Sequence, residues 1–468
     1  MLPELFLERM KGLLNEEYEP FLESFEGEPY KALRLNPLKC REDFIKKGYF
    51  TLKPVPWAPC GYYYEEQEKP GKHPFHEAGV YYIQEPSAMA PVPFLEVHPG
   101  ERVLDLCAAP GGKSTQIAGY MEGEGILFCN EIHPKRAQIL SENIERCGIR
   151  NAIVTNETPE KLSKVFTGYF DKILVDAPCS GEGMFRKNEE AVVEWSEENV
   201  RLCAARQDEV LGYAAKMLRP GGRLVYSTCT FAPAENEGSI SRFLTTHPDF
   251  SLVRVAAPEG FVCGRADWIT ESAGDIDKTL RIMPHKVKGE GHFLAVLIRN
   301  GDTMSEGAFP QGGLERNITQ KEYKEFLEFA KDTLTETKTE ELLADRTLLR
   351  FGDNLYTAPE KLPALKGLKV LRPGLHLGTM KKNRFEPSHA LALHLKKEDV
   401  NSSLDFALSD AAVEKFLTGQ TLTIGEGCDV PSADGKGYSL ILVDGYSIGW
   451  GKIAGNIVKN HYPKGLRK

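Results

Sequence analysis

Two apolar runs in this chain lead to cysteines that could do chemistry. ILVDAPCSGEGMFRKN, Ile173 to Asn188, passes through Asp176 and a proline to Cys179 and then into a glycine turn. GRLVYSTCTFAPAENE, Gly222 to Glu237, brings Cys229 to a similar strand end. A thiolate is a strong nucleophile, and bonding it to a substrate divides one difficult step into two easier ones. A single intracellular cysteine is usually buried and inert. Two at adjoining strand ends, in the crevice where doubly wound sheets bind ligands, point instead to chemistry. The residues alone do not rank one thiol above the other. Asp176 adds a carboxyl beside them, which either holds the turn or steadies charge on a bound group.

A third stretch, DLCAAPGGKST from Asp105 to Thr115, joins an apolar run to a helix. Glycines at such a turn let a ligand approach the backbone, and the free N–H groups of a helix start favour an anionic group. A phosphate-binding loop, GxxxxGK[ST], needs a glycine where Cys107 stands, which weighs against an NTPase. The dinucleotide fingerprint GxGxxG is absent as well. S-adenosylmethionine remains: its methionyl part sits by such a turn, and its ribose needs an acid at the end of the second strand, where Glu131 stands.

What must position these groups is an α/β block. RVLDLC (Arg102 to Cys107), GILFCNEI, NAIVTNE, FDKILVDA and GRLVYSTC read as strands. Between them come helices opening near Gly112, running through PKRAQILSENIERCG, and spanning VRLCAARQDEVLGYAAKML before RPGG stops the last. FSLVRV and HFLAVLIRN close the block near Asn300. Beyond it GDTMSEGAFPQGGLERNITQ reads as a linker, after which the chain is expected to be separable from the core. QTLTIGEG, GYSLILVDG and YSIGWGKIAG read as glycine-punctuated strands of a small barrel or sandwich.

The 468 residues, 41% of them apolar, suffice for two to four domains. No apolar run approaches the ~18 residues of a membrane span. The acid-rich start does not read as a leader, and ten cysteines without a CxxC pair are not a disulfide framework. A soluble, cytoplasmic protein is expected. A net charge of −9 argues against a uniformly basic nucleic-acid binder, though not against a local positive surface. Lys361 to Lys397 is one candidate, and for charge alone it reads as a solvated face. Cys60, His73 and His76 are too irregularly spaced for a zinc site, so no metal is expected.

In order, DLCAAPGGKST, DAPCSGEG and YSTCTFAPAENE resemble the NSUN-type RNA 5-methylcytosine methyltransferases. ALRLNPLK (Ala32 to Lys39) and GVYYIQEPSAM (Gly79 to Met89) extend the resemblance upstream. The tail is similar to that of bacterial members acting on small-subunit ribosomal RNA, which carry an additional RNA-binding region. The resemblance implies an N-terminal α+β RNA-binding extension at 1–97 and a doubly wound, Rossmann-like S-adenosylmethionine-dependent core at 98–300. A linker and basic RNA-binding region at 301–415 and a β-rich PUA-like domain at 416–468 would follow. It also implies that Cys107, Ala108, Ala109, Pro110, Gly111, Gly112 and Lys113, with Glu131, Thr158 and Asp176, hold the cofactor. Thr158 stands where the family usually has an aspartate.

The implied chemistry explains a need for two thiols. C5 of cytosine is too poor a nucleophile to take a methyl group directly; a thiolate added to C6 shifts electron density to C5. The family pattern gives the attack to Cys229 and the release to Cys179. Asp176, protonated or sharing a proton, would bond N3 and the exocyclic amine. Phe185, Arg186 and Lys187 follow the glycine turn and are expected at the RNA backbone, whereas the tyrosines at 62 to 64 could stack on RNA bases but read first as strand alternation. Ribosomal RNA or the small ribosomal subunit is the implied substrate of a monomer. Transfer RNA, or a ribosome assembly role with a vestigial methyltransferase fold, are the alternatives.

Overall fold

Strands that read as unbroken apolar runs need cover on both faces. The computed structural model, which describes residues 2–301, 318–344, 346–359, 361–424 and 436–467, provides it. Arg102–Asp105 (β1), Ile126–Asn130 (β2), Ala152–Thr155 (β3), Phe170–Asp176 (β4) and Leu218–Thr228 (β5) run parallel, and His292–Arg299 (β6) lies antiparallel to β5. Their order is β3-β2-β1-β4-β5-β6. The chain therefore steps outward from β1 on one side, then returns to place β4 on the other.

Leu104 stands opposite both Phe128 and Ile173, and the period of two does the rest. Val103, Leu127, Val154 and Leu174 face one side, Leu104, Phe128, Ile153 and Ile173 the other, all fully buried. The first face is covered by Gly112–Met121 (α1) and Pro134–Arg146 (α2) through Ile117, Leu140 and Ile144. The second is covered by Glu197–Met217 (α3) through Leu211, Ala214 and Met217. Each leucine so buried stabilises by about 1.5–3 kcal/mol. Ser196 caps α3 by accepting from Asn199 N at 3.0 Å, with Glu197 and Glu198 in its first turn and Lys216 in its last, each charge complementing the helix dipole.

Phe250–Leu252 pairs with β6, as FSLVRV and HFLAVLIRN predict. Two short strands between them, Phe261–Cys263 and Leu280–Ile282, extend the sheet beyond β6 without a sequence signal of their own. Upstream, a four-stranded antiparallel sheet is built on Ala32–Leu35. The helix Glu4–Leu14 packs Phe6 and Met10, with Phe21, against Phe185, Trp195 and Phe231.

Downstream the strands cross the divisions expected at 300 and 415. Val370–Arg372 pairs with β3 and closes that edge of the catalytic sheet. Ser403–Phe406 pairs in parallel with Lys436–Val443, so the terminal five-stranded sheet begins before residue 416. The hairpin of Lys436–Val443 and Tyr446–Ala454 lies where GYSLILVDG and YSIGWGKIAG predict strands. Most of the expected linker, residues 302–317, and the end of QTLTIGEG lie outside the described residues. Among the described residues no helix is long and apolar enough to cross a membrane.

Candidate active site

β1, β4 and β5 end side by side where the strand order reverses, the place where such sheets form a crevice. The cleft above them measures about 660 Å³. Cys107, Ala109, Glu131 and Thr158 line it, and so do Asp176, Cys179 and Cys229. Sequence reading missed its third wall, which α3 supplies through Arg206, Glu209, Val210 and Tyr213. Their spacing of i, i+3, i+4 and i+7 marks one helix face.

The two thiols meet, Sγ to Sγ at 3.4 Å. A clamp between the loops that follow them causes this. Ser180 and Thr230, each one residue past a cysteine, share a hydroxyl bond of 2.8 Å. Gly183 N donates to Cys229 O at 2.8 Å, and a side chain on Gly183 would collide with that oxygen. The buried Glu182 carboxylate accepts from Phe231 N at 3.0 Å, from Trp195 Nε1 at 2.8 Å and from Arg9 at 2.7 Å. Glu235 accepts from Ser180 N at 3.0 Å and Gln207 Nε2 at 2.8 Å. The polar residues of SGEG and TFAPAENE thus fix the two turns.

The neighbouring Cys229 sulfur, with burial, pushes the Cys179 thiol well above the ordinary range, so Cys179 keeps its proton. Burial likewise raises Cys107, which leaves it no ready thiolate. Burial opposes ionisation of Asp176, but the Lys113 ammonium and His292 outweigh it and hold the carboxyl well below its usual range. Lys113 Nζ lies 2.8 Å from Oδ2, Ser227 Oγ donates to Oδ1 at 2.7 Å, and His292 Nε2 stands 3.5 Å from Oδ1. Lys113 therefore favours the carboxylate at Asp176, which departs from the protonated form of the expectation and leaves its shared-proton form standing.

Glu131, the residue after β2, is almost wholly buried, its Oε1 accepting from His133 N at 2.9 Å and its Oε2 lying 3.5 Å from Arg136. Thr158 Oγ1 accepts from Lys161 N at 3.2 Å, capping the helix Pro159–Val165, and Thr158 lines the cleft. Ala108 N donates to Asn130 O at 2.8 Å, which ties the first turn to β2, and Pro110 O accepts from Asn143 of α2. Gly111 carries φ +114° at the start of α1, and an added side chain at Gly112 would press on Gln84 and Tyr82. Both glycines thus serve turn and packing at this helix start.

Phe185 and Arg186 do not face outward as expected, whereas Lys187 is exposed. Phe185 packs edge-on to Phe6, and Arg186 makes a two-pronged pair with Glu290 at 2.8 and 2.9 Å. Lys187 lies 3.6 Å from the same carboxylate. In the basic stretch, Arg372 pairs with Glu145 and Lys397 with Asp405, while Lys381 and Lys382 are exposed. His73 Nδ1 is occupied in accepting from Phe75 N at 3.2 Å, and Cys60 is exposed. Among the described residues no group of three or more metal-ligating side chains stands together.

Comparison with known proteins points the same way. Residues 92–298 match the model of the 16S rRNA methyltransferase RsmB/F family. Residues 2–86, 328–395 and 403–468 match its RsmF N-terminal domain, first C-terminal domain and PUA domain. The chain is 35% identical to ribosomal RNA small subunit methyltransferase F of Vibrio vulnificus, over 99% of this chain and 97% of that one. It is 30% identical to the protein of that name from Erwinia tasmaniensis, over 99% and 96%. Among solved structures it is similar to a methyltransferase homolog protein from Pyrococcus horikoshii, with 30% identity, a TM-score of 0.56, and 63% of this chain and 94% of that one covered. NSun6 from the same organism, at 23% identity and a TM-score of 0.54 over 64% and 99%, shares the fold.

Proposed function

The chain belongs to the 16S rRNA methyltransferase RsmB/F family and depends on S-adenosylmethionine, and from that premise we propose that it methylates C5 of a cytosine in small-subunit ribosomal RNA. The observation that carries this reading is the thiol pair, 3.4 Å apart, in one cleft with Glu131 and Asp176.

The cleft residues fit the cofactor. A buried carboxylate at the end of β2 suits the two ribose hydroxyls, and Thr158 offers a donor to the adenine. When bound, the cofactor supplies a methyl group made electrophilic by its sulfonium. Everything else falls to the chain. Cys229 adds as thiolate to C6 of a cytosine taken out of its stack, which makes C5 nucleophilic. Asp176, ionised by Lys113, accepts from the exocyclic amine and holds the base edge while Ser227 and His292 fix the carboxylate. Once C5 carries the methyl group, its proton passes to water in the cleft, and the electron pair of that C–H bond restores the C5–C6 double bond as the C6–S bond breaks. The Cys179 S–H, still protonated and 3.4 Å away, stabilises the departing thiolate.

Small-subunit ribosomal RNA, free and as assembled subunits, is to be incubated with the protein and methyl-labelled cofactor, and the nucleosides separated. Label in 5-methylcytidine is expected. Label in another nucleoside, or cofactor binding without transfer, would overturn the reading, the second in favour of an assembly factor.

A further inference from the structure

A second cleft, of about 870 Å³, opens between the N-terminal sheet and the loop that precedes β6. Its walls include the rings of Tyr30, Trp57, Tyr63 and Tyr64. Trp57 Nε1 donates to Pro86 O and Tyr63 OH to Lys288 O, both at 2.8 Å, which fixes two of the rings. Tyr30 stands edge-on to Tyr63 with centroids 6.3 Å apart, and the Arg186 guanidinium lies 5.3 Å from its centre.

The charges of the cleft balance. Lys31, Lys53, Lys286 and Lys288 stand against four glutamates, and Lys31 is paired with one of them, Glu66. Lys286 reaches outside the cleft to Glu17 at 2.8 Å. Flat rings without a net field suit a planar, uncharged base better than a run of phosphates, which would need a basic groove.

One wall continues into the catalytic turn. Two residues beyond Lys288, the Glu290 carboxylate takes both prongs of Arg186, itself in the loop that follows Cys179. The carbonyls of Glu290 and Cys229 converge, 3.1 and 2.9 Å from the point a side chain on Gly183 would occupy. Arg186 also donates to Ser24 O at 2.7 Å, so the same residue braces Tyr30, the N-terminal segment and the cysteine loop.

We propose that this cleft stacks an unpaired base of the substrate RNA other than the target cytosine, and so holds the strand open while the target lies at Cys229. The inference rests on the RNA methylation reading above. Taking a base out of a duplex leaves its neighbours with lost stacking, and a ring platform beside the catalytic loop restores some of it.

The test uses the full chain with Tyr30→Ala, Tyr64→Ala and Tyr30→Phe, measuring RNA affinity at two salt concentrations, cofactor affinity, and single-turnover methylation. Both alanine variants should raise the RNA Kd by roughly 5- to 150-fold, the span of one base stack. Cofactor affinity and the salt slope should not move, because no phosphate contact is lost. Tyr30→Phe, which keeps the ring, should bind as the parent does. The parent protein with 4-thiouridine-substituted RNA should cross-link at Tyr30, Tyr63 or Tyr64. Unchanged RNA affinity in both alanine variants, with no cross-link to the cleft, overturns the inference and leaves the methylation reading standing. A loss seen with assembled subunits but not with free RNA identifies a protein occupant and also overturns it. Failure of the parent to methylate RNA is instead a failure of the earlier reading.

Discussion

Glu131→Ala should weaken cofactor binding far more than RNA binding, because in the proposed function its carboxylate accepts the ribose hydroxyls. Such charge-assisted bonds contribute about 1.5–3 kcal/mol each. A tenfold or greater rise in the cofactor Kd by calorimetry is expected, and an unchanged Kd would rule the role out. At this scale the sequence named both thiols, Asp176 and Glu131, since residue type and strand end suffice to find them. It did not show what each touches. Arg186 reads as exposed because it follows a glycine turn, yet Glu290, 104 positions later in the chain, turns it inward. The ionisation of Asp176 likewise depends on Lys113, 63 positions earlier, whose ammonium no local pattern connects to it.

An edge strand shows what element-scale reading leaves out. Val370–Arg372 is three residues long, lies in a basic stretch, and pairs with β3 across more than two hundred residues of sequence. No periodicity announces it. It is locked on by Asn156 N donating to Lys369 O at 2.9 Å and Lys369 N to Glu157 Oε1 at 2.6 Å. Leu349, Leu362 and Leu365, each 1% exposed, join the core of the catalytic sheet. A protein ending at residue 301 would lose this cover and leave β3 as an open edge. Three buried leucines amount to roughly 5–9 kcal/mol, comparable with the whole stability of a domain. Residues 1–301 alone should therefore melt at lower temperature and aggregate, followed by thermal unfolding and light scattering. A monodisperse fragment with the parent's Tm would contradict this and restore the separable core that the sequence suggests.

Over the whole molecule, stability depends on pH through buried groups of opposite sign. Burial pushes Glu235 and Asp105 up to about 7. The folded chain keeps these protons where the unfolded chain has lost them, so their contribution is lost as pH rises from about 4 to 7. Burial pushes His376 and His389 down to about 4, and these work the other way between about 4 and 6.5. The difference between Glu235→Gln and the parent isolates one term: its Tm relative to the parent should rise as pH goes from 5 to 7.5. A constant difference would mean that Glu235 is already ionised in the folded state below pH 5. The doubly wound order was legible at this scale, because alternating apolar runs and helices admit few other arrangements. The contacts that join the first and last segments to each other were not, since they pair residues hundreds of positions apart, such as Tyr49 OH donating to Asp444 at 3.0 Å.

The division of labour between the thiols is decided by trapping the RNA. Cys179→Ala and Cys229→Ala, each first shown to fold and to bind the cofactor, are incubated with substrate RNA and cofactor and run on a denaturing gel. With Cys229 attacking and Cys179 releasing, Cys179→Ala should accumulate a protein–RNA adduct and Cys229→Ala should form none and transfer no methyl group. An adduct with Cys229→Ala that is absent from Cys179→Ala would contradict the account and make Cys179 the nucleophile.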